Sequence, residues 1–152
     1  MRVVVIGAGI GGLVLARALR DAGVDVRVYE RDKVLSETGG YRLHLNPDAC
    51  AVLRRRLRPE HFQALLASGS GASAFRRFHV LDHQLRPLLS LPRDTGGDHM
   101  LIGRVPLRVL LAYGLDDVLD LNTEFTGFDR SADGVTARFA DGRSDTADVL
   151  VG

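Results

Sequence analysis

The chain has 152 residues, enough for one domain that buries roughly 70% of the surface its unfolded chain exposes. Its composition, 45% hydrophobic and 26% charged, is that of an ordinary globular protein. The 20 basic and 19 acidic residues leave a formal net charge of +1, so we expect no nucleic-acid or polyanionic partner. Cys50 is the single cysteine and excludes an intrachain disulfide, which favours a reducing compartment and a cytoplasmic protein.

The N-terminus has the outline of a signal peptide, because Met1 and Arg2 precede an apolar run that reaches Ala16. Glycines interrupt that run at the spacing of a nucleotide-binding loop, and cleavage after it would remove the first predicted strand. No stretch approaches the roughly 18 to 20 apolar residues of a membrane helix. We therefore expect neither a cleaved leader nor a membrane span.

The first thirty residues alternate between strand and helix patterns. Residues 2–6 are a β-branched run, as expected of a parallel strand that is buried on both faces. Residues 11–22 repeat apolar side chains at helical spacing, and Gly23 suits the end of that helix. Residues 25–30 alternate with a period of two and predict a second parallel strand. The sequence therefore predicts a βαβ unit of the usual size.

Three glycines between the first strand and the helix match the pattern G-x-G-x-x-G. Gly7 permits the turn, Gly9 lets the backbone approach a pyrophosphate, and Gly12 lets the helix pack closely on the sheet. The N-terminus of the helix then presents backbone amides to a phosphate. Glu30, which lies 18 residues after Gly12, is placed to accept hydrogen bonds from ribose hydroxyls and to repel a 2′-phosphate. The sequence therefore predicts a nucleotide with a free adenosine ribose, as in NAD or FAD.

The chain after this unit does not repeat βα units at intervals of about thirty residues, as an NAD-binding domain would. Residues 41–45 predict a short strand instead. Asn46 and Pro47 are a helix start signal, with Asn46 as the N-cap, for a helix over residues 49–57. A second short helix is expected over residues 60–67.

The remainder is rich in strand patterns. Residues 74–91 contain two such runs, and their His79 and His83 have no acid or cysteine at ligand spacing, so no metal site is expected. A helix begins at Pro106 and ends near Tyr113. The tail predicts a β-meander over residues 123–130, 135–140 and 146–151. This order favours the FAD variant of the nucleotide-binding fold.

With these features the chain resembles the N-terminal part of the class A FAD-dependent monooxygenases, the aromatic hydroxylase family related to 4-hydroxybenzoate hydroxylase. The matching blocks are residues 3–13, 23–31 and 40–47, the pattern R-x-x-L-x-x-x-L from Arg104, and residues 147–152. The resemblance spans essentially the whole chain, and its first block is the most specific. It implies an α/β fold, namely an FAD-binding Rossmann-like domain (the GxGxxG βαβ unit) with a β-meander and the start of a strand-rich substrate region, incomplete relative to the family.

The resemblance also implies roles for individual residues. The loop from Gly7 to Gly12 would hold the FAD pyrophosphate, and Glu30 the adenosine ribose. Arg31 would lie beside the adenine, whose edge the family reads with the backbone at the position of Phe125. No catalytic side chain is expected, because in this family the flavin supplies the oxygen chemistry. The complete expected cofactor site is Gly7, Ala8, Gly9, Ile10, Gly11, Gly12, Glu30, Arg31, Arg42, Arg104 and Phe125.

Two arginines of this set have a second interpretation. Arg42 stands where the family often has an arginine and would reach the ribityl or phosphate region of FAD. Arg104 opens the helix whose family counterpart contacts FAD. An exposed surface charge explains either residue as an alternative.

The resemblance implies that residues 1–72 and 100–152 form the FAD-binding domain, with 73–99 as an insertion on the substrate-domain side. The complete enzyme would use NAD(P)H and O2 to hydroxylate or epoxidise a small apolar or aromatic molecule. A second hypothesis is a non-catalytic nucleotide-binding module that pairs with a partner chain, either a separate C-terminal half or another copy. An NAD-dependent dehydrogenase domain is a third, which the strand-rich second half disfavours.

One departure from the family concerns the flavin itself. In the family, the strand that matches residues 147–151 runs into an Ala-Asp-Gly segment that helps to bind FAD, and a later Gly-Asp-Ala segment contacts the ribityl chain. The sequence reaches Gly152 without either segment. We therefore expect neither the isoalloxazine site nor a complete substrate pocket within these residues.

The isolated chain is accordingly expected to retain FAD weakly or not at all and to show no turnover. The missing segments carry many of the family's flavin contacts, and an unfinished sheet exposes apolar surface. Isothermal titration with FAD measures this directly, and a submicromolar dissociation constant would contradict the expectation.

Overall fold

A computed structural model of the chain describes residues 1–37, 39–70, 77–92, 98–132 and 134–152. These residues form two compact units, one of Met1–Tyr41 with Arg104–Gly152 and the other of Arg42–Gly103. The assignment of 73–99 to a substrate domain stays a prediction. Within the described ranges, none of the helices is long and apolar enough to cross a membrane.

The described helices and strands follow the predicted order closely. In chain order they are β1 (Arg2–Ile6), α1 (Ile10–Asp21), β2 (Asp25–Tyr29), β3 (Arg42–Leu45), α2 (Pro47–Arg56), α3 (Pro59–Ser68), β4 (Arg77–Leu81), β5 (Pro87–Pro92), β6 (Met100–Gly103), α4 (Arg104–Ala112), β7 (Leu119–Asp120), β8 (Phe125–Ser131), β9 (Gly134–Phe139), β10 (Ser144–Ala147) and β11 (Val149–Val151). The predicted α/β class is therefore confirmed. Residues 74–76 of the predicted strand region lie outside the described residues.

The first unit is built on a four-stranded sheet with the strand order β11-β1-β2-β7 and parallel pairing throughout. β1 lies inside this sheet, and its Val3, Val4 and Val5 are buried. A continuous β-branched run fits such a strand because both of its faces are covered. α1 connects β1 to β2 and packs on them through the buried Leu13 and Ala16. This arrangement confirms the predicted βαβ unit.

The C-terminal end of α4 is held against α1. The Arg17 guanidinium on α1 donates to the carbonyl oxygen of Leu111 at 2.7 Å and to that of Tyr113. These carbonyls lie at the end of a helix, where no further turn is available to accept their hydrogen bonds. Arg17 therefore stabilises the α1–α4 contact by capping α4.

The prediction of one strand over residues 146–151 is wrong, because the chain changes sheets at Asp148. β10 completes the antiparallel sheet β10-β9-β8, whereas β11 joins the parallel sheet beside β1. The Asp148 carboxylate accepts a hydrogen bond from the Arg2 backbone N–H at 2.6 Å, and the Asp148 N–H donates to the Arg2 carbonyl at 3.0 Å. The period-two pattern continues through this switch, so alternation alone did not locate it.

The antiparallel sheet packs on the parallel sheet around Tyr29. The Tyr29 ring lies 4.3 Å from that of Phe139, and its hydroxyl donates to the Asp145 carboxylate at 2.8 Å. Arg2 donates to both oxygens of the same carboxylate, at 3.0 and 2.9 Å. Burial and the neighbouring carboxylate raise the pKa of Tyr29 to about 12. The network therefore links β1, β2 and β10 within the first unit.

The second unit contains the antiparallel pair β3–β6, the helices α2 and α3, and the hairpin β4–β5. The Asn46 side chain accepts a hydrogen bond from the Ala49 N–H at 2.9 Å, which confirms the predicted N-cap of α2. Cys50 is buried beside Leu53 on the inner face of this helix, and burial raises the pKa of its thiol. Cys50 is therefore a packing residue of this unit.

Replacing Tyr29 by Phe should lower the free energy of unfolding near neutral pH by about 1.5 kcal/mol, because a hydrogen bond to a charged acceptor is lost. The folded-state pKa of Tyr29 lies above the ordinary value of 10.0 for a tyrosine, so the unfolded state releases the proton first. Wild-type stability should therefore fall as the pH rises from about 10 to about 12, and Tyr29→Phe should remove that part of the slope. Urea unfolding at a series of alkaline pH values measures both effects. Identical alkaline slopes in the two proteins would count against the network.

Candidate functional site

A cavity of about 560 Å³ opens in the first unit at the carboxyl ends of β1 and β2. Gly7 and Gly9 line it after β1, and Glu30 and Arg31 line it after β2. Ligands of open α/β sheets bind outside the carboxyl ends of the strands, and this volume is typical of small-molecule sites. The cavity therefore has the position and size of a ligand site.

The glycine loop that forms one wall needs glycine at two positions. Gly7 has a φ of +100°, a left-handed conformation in which a side chain is strained, and its N–H donates to the Tyr29 carbonyl at 2.7 Å. A Cβ added to Gly12 would lie 2.1 Å from the Gly7 carbonyl oxygen. The first turn of α1 therefore lies directly against the loop, as the motif predicts.

The N-terminus of α1 is open to a ligand. Its N-cap, Gly9, provides no side-chain hydrogen bond, whereas the Asn46 side chain caps α2. The first amides of an uncapped helix need an acceptor from elsewhere, and the helix dipole favours an anion there. Because Gly9 lines the cavity, this end of α1 fits a phosphate group.

The Glu30 carboxylate forms a second wall, beside the glycine loop, with 7% of the residue exposed. Its Oε2 accepts a hydrogen bond from the Ala8 N–H at 2.7 Å and lies 2.9 Å from an Arg108 nitrogen. Its Oε1 accepts from the Asp32 N–H at 3.0 Å. A carboxylate has about four acceptor positions, so the three donors found among the described residues leave one position for a ligand hydroxyl. That position is on Oε1.

Arg108 is a site residue that sequence reasoning missed. It is 3% exposed, and its Nε donates to the Ala8 carbonyl at 2.8 Å. The residue follows Leu107 on the buried face of α4, four positions before the equally buried Ala112. A charged residue on the apolar face of a short helix was the signal that could have identified it, since such a residue is rarely buried without a partner.

A third wall comes from the segment after β7. The Glu30 N–H donates to the Asp120 carbonyl at 2.9 Å, and the Thr123 N–H donates to the Glu30 carbonyl at 2.8 Å. Thr123 is fully buried, and its hydroxyl accepts a hydrogen bond from Arg143 at 2.7 Å. Sequence reasoning also missed Thr123, because its partners are distant along the chain.

The other residues expected at the cofactor are placed as follows. Arg31, Arg104 and Phe125 line the cavity, and Arg104 donates to the Gly39 carbonyl at 2.9 Å. Arg42 begins β3 in the second unit, so its role stays a prediction. The remaining members of the set belong to the loop and the first turn of α1, namely Ala8, Ile10, Gly11 and Gly12.

A larger open groove of about 770 Å³ shares Ile6 and Phe125 with this cavity. The groove runs along β8 and β11 and is lined mainly by apolar residues such as Phe128, Val149 and Leu150. It contains neither the glycine loop nor Glu30. We therefore place the candidate nucleotide site in the smaller cavity, because the residues that line it can bind a nucleotide, although the groove has the larger volume.

Comparison with known proteins supports the nucleotide-binding assignment. The family model of an NAD(P)-binding Rossmann-like domain matches residues 5–43. The 3-amino-4-hydroxybenzoate 2-monooxygenase PtmB3 of Streptomyces platensis is 34% identical over 154 residues, which cover 99% of this chain and 38% of that protein. The dual O-methyltransferase/FAD-dependent monooxygenase CTB3 of Cercospora beticola is 33% identical over 159 residues, which cover 99% of this chain and 18% of that protein.

The structure is similar to that of Klebsiella pneumoniae HpxO in complex with FAD and uric acid. The TM-score is 0.74 at 25% sequence identity, over 99% of this chain and 38% of that chain. The chain thus spans well under half the length of each of these three proteins.

The glycines of the loop give a matched test of the packing. Gly12→Ala should lower the free energy of unfolding by about 3 kcal/mol, because its Cβ would overlap the Gly7 carbonyl and push α1 off the loop. Gly11→Ala is the control, since nothing lies within 4 Å of its added Cβ, and it should leave stability equal or raise it by up to about 1 kcal/mol. Urea unfolding compares the two variants, and equal stabilities would refute the close contact.

Proposed function

We propose that this chain, which is similar over nearly its whole length to the N-terminal part of FAD-dependent monooxygenases, is the FAD-binding portion of such an enzyme. One observation carries the proposal. The open N-terminus of α1 at Gly9 and the Glu30 carboxylate lie on the wall of the same cavity, where a dinucleotide needs a phosphate site and a ribose site. We propose FAD as the dinucleotide because the related proteins are FAD-dependent monooxygenases.

The residues of the cavity fit the adenosine diphosphate half of FAD. The first amides of α1 would bind the pyrophosphate, and Glu30 Oε1 would accept a hydrogen bond from a ribose hydroxyl. A 2′-phosphate would lie beside the carboxylates of Glu30 and Asp32, which favours a free ribose. Arg31 and Phe125 line the remaining wall and would contact the adenine.

In the complete enzyme, bound FAD supplies the oxygen chemistry. NAD(P)H would provide two electrons, one atom of O2 would enter the substrate, and the other would leave as water with the nicotinamide oxidised to NAD(P)+. The substrate we propose is a small apolar or aromatic molecule. This chain would bind and orient the nucleotide, and the rest of the flavin site would come from a C-terminal part, on the same or a partner chain. A cytoplasmic location stays part of the proposal.

A non-catalytic module that pairs with another chain is the second candidate. The edge strand β11 and the apolar groove beside it favour this candidate, since Phe128 and Val149 are exposed there. Size-exclusion chromatography with light scattering, alone and with candidate partners, tests it. A well-behaved monomer that binds FAD and no protein would count against it.

Nucleotide binding to the chain itself can be measured by 15N NMR, which detects weak ligands. Addition of ADP or FAD should shift the amides of the first turn of α1 and of Asp32, and Gly9→Ala should weaken binding at least about tenfold by placing a methyl group at the phosphate wall. Among the residues that the structure describes, no neighbouring atom lies within 4 Å of that added Cβ, so the variant should remain as stable as the wild type. The absence of any shift at millimolar ADP would refute the proposed function.

The monooxygenase activity requires a second experiment. Joining the chain to a matching C-terminal segment of the family should produce a protein with flavin absorbance and NAD(P)H-driven oxygen uptake. Gly9→Ala in the same fusion is the control and should lose flavin. A folded fusion that retains no flavin would overturn this part of the proposal.

A further inference from the structure

Arg108 joins three segments of the first unit that are distant in the sequence, namely α4, the glycine loop and residues 30–35. From α4, its Nε donates to the Ala8 carbonyl in the glycine loop at 2.8 Å. Its Nη1 donates to the Asp32 carboxylate at 2.7 Å and to the Leu35 carbonyl at 3.2 Å. Its Nη2 lies 2.9 Å from Glu30 Oε2. One buried guanidinium therefore bridges both walls of the proposed nucleotide site.

The buried negative charge of Glu30 depends on the Arg108 cation for its stabilisation. The three donors to its carboxylate are two neutral backbone amides, of Ala8 and Asp32, and the Arg108 cation. Arg108 and the Glu30 side chain are 3% and 9% exposed, so water screens neither charge well. Without the cation, the buried carboxylate of Glu30 and the partly exposed carboxylate of Asp32 would repel each other, and Glu30 would gain by turning toward water.

We propose that Arg108 is the positioning residue of the ribose site, which holds Glu30 so that the remaining acceptor position of Oε1 faces the nucleotide. Glu30 contacts the sugar, and Arg108 affects the preference for a ribose over a deoxyribose only by positioning Glu30. The inference rests on the proposed function, since the ribose concerned is that of the bound adenine nucleotide.

A direct contact between Arg108 and a phosphate would have a different signature. Loss of a phosphate contact weakens ADP and its deoxy analogues by the same factor, so their affinity ratios do not change. Loss of Glu30 positioning weakens ADP more than the deoxy analogues, so the ratios fall. The ratio therefore separates the two roles.

Arg17 is a matched control for a general loss of packing. It is also an arginine that holds two elements together by donating to backbone carbonyls, and it caps the C-terminal end of α4, about one turn after Arg108. It does not line the proposed nucleotide cavity. Arg17→Met should therefore destabilise the protein without changing its choice of sugar.

The experiment is an NMR titration of the wild type, Arg108→Met and Arg17→Met with ADP, 2′-deoxy-ADP and 3′-deoxy-ADP. A hydrogen bond to a charged acceptor contributes roughly tenfold or more in affinity, so the wild type should prefer ADP over at least one analogue by about tenfold. Arg108→Met should reduce that preference to about onefold, and Arg17→Met should retain it. An unchanged preference in Arg108→Met would overturn the inference.

A measurement without ligand separates this inference from the proposed function. The amides of Ala8 and Asp32 donate to Glu30, so their hydrogen exchange should become faster in Arg108→Met than in Arg17→Met at equal stability. Equal exchange would overturn the positioning role even if no nucleotide binds. If Arg108→Met does not fold, Arg108→Lys is used to test the positioning role, because a lysine cannot reach all four acceptors. Its sugar preference should be below that of the wild type, and an equal preference would overturn the inference.

Discussion

The contact between Gly12 and the Gly7 carbonyl is the constraint on which the site depends. A single methyl group at Gly12 would lie 2.1 Å from that oxygen, so α1 can start where it does only because the side chain is absent. The close approach directs the uncapped N-terminus of α1 to the end of β1. Every later feature of the cavity is built around that helix end, which is where the phosphate of a nucleotide belongs.

The second wall depends on a buried ionic network. Burying the Glu30 carboxylate beside the partly exposed Asp32 is unfavourable unless a cation accompanies it, and Arg108 from α4 meets this need with a guanidinium that reaches both carboxylates. The same side chain contacts the glycine loop through the Ala8 carbonyl. The walls proposed to bind the ribose and the phosphate are thus held together by contacts within the protein itself, which reduces the ordering required when a ligand binds.

The network also explains why a chain that covers only 18 to 40% of the length of its curated relatives can contain a formed cavity. All the residues that shape the proposed adenosine site lie in the first unit, between the glycine loop and the segment after β7. The apolar groove beside β11 shows that the packing of this unit has an exposed edge. The proposed flavin half of the site would adjoin such an edge.

Local patterns in the sequence were sufficient to predict several structural features of this protein. The β-branched run of β1, the glycine spacing, the position of Glu30 and the Asn46 cap each depend on a few neighbouring residues, so they were predictable. The tertiary structure alone decided the sheet switch at Asp148 and the partners of Arg108. Both depend on contacts between segments distant in the chain, with Arg2 in the first case and with Ala8 and Glu30 in the second. Periodicity shows which face of an element is buried, and it does not show which distant group will meet a charge there.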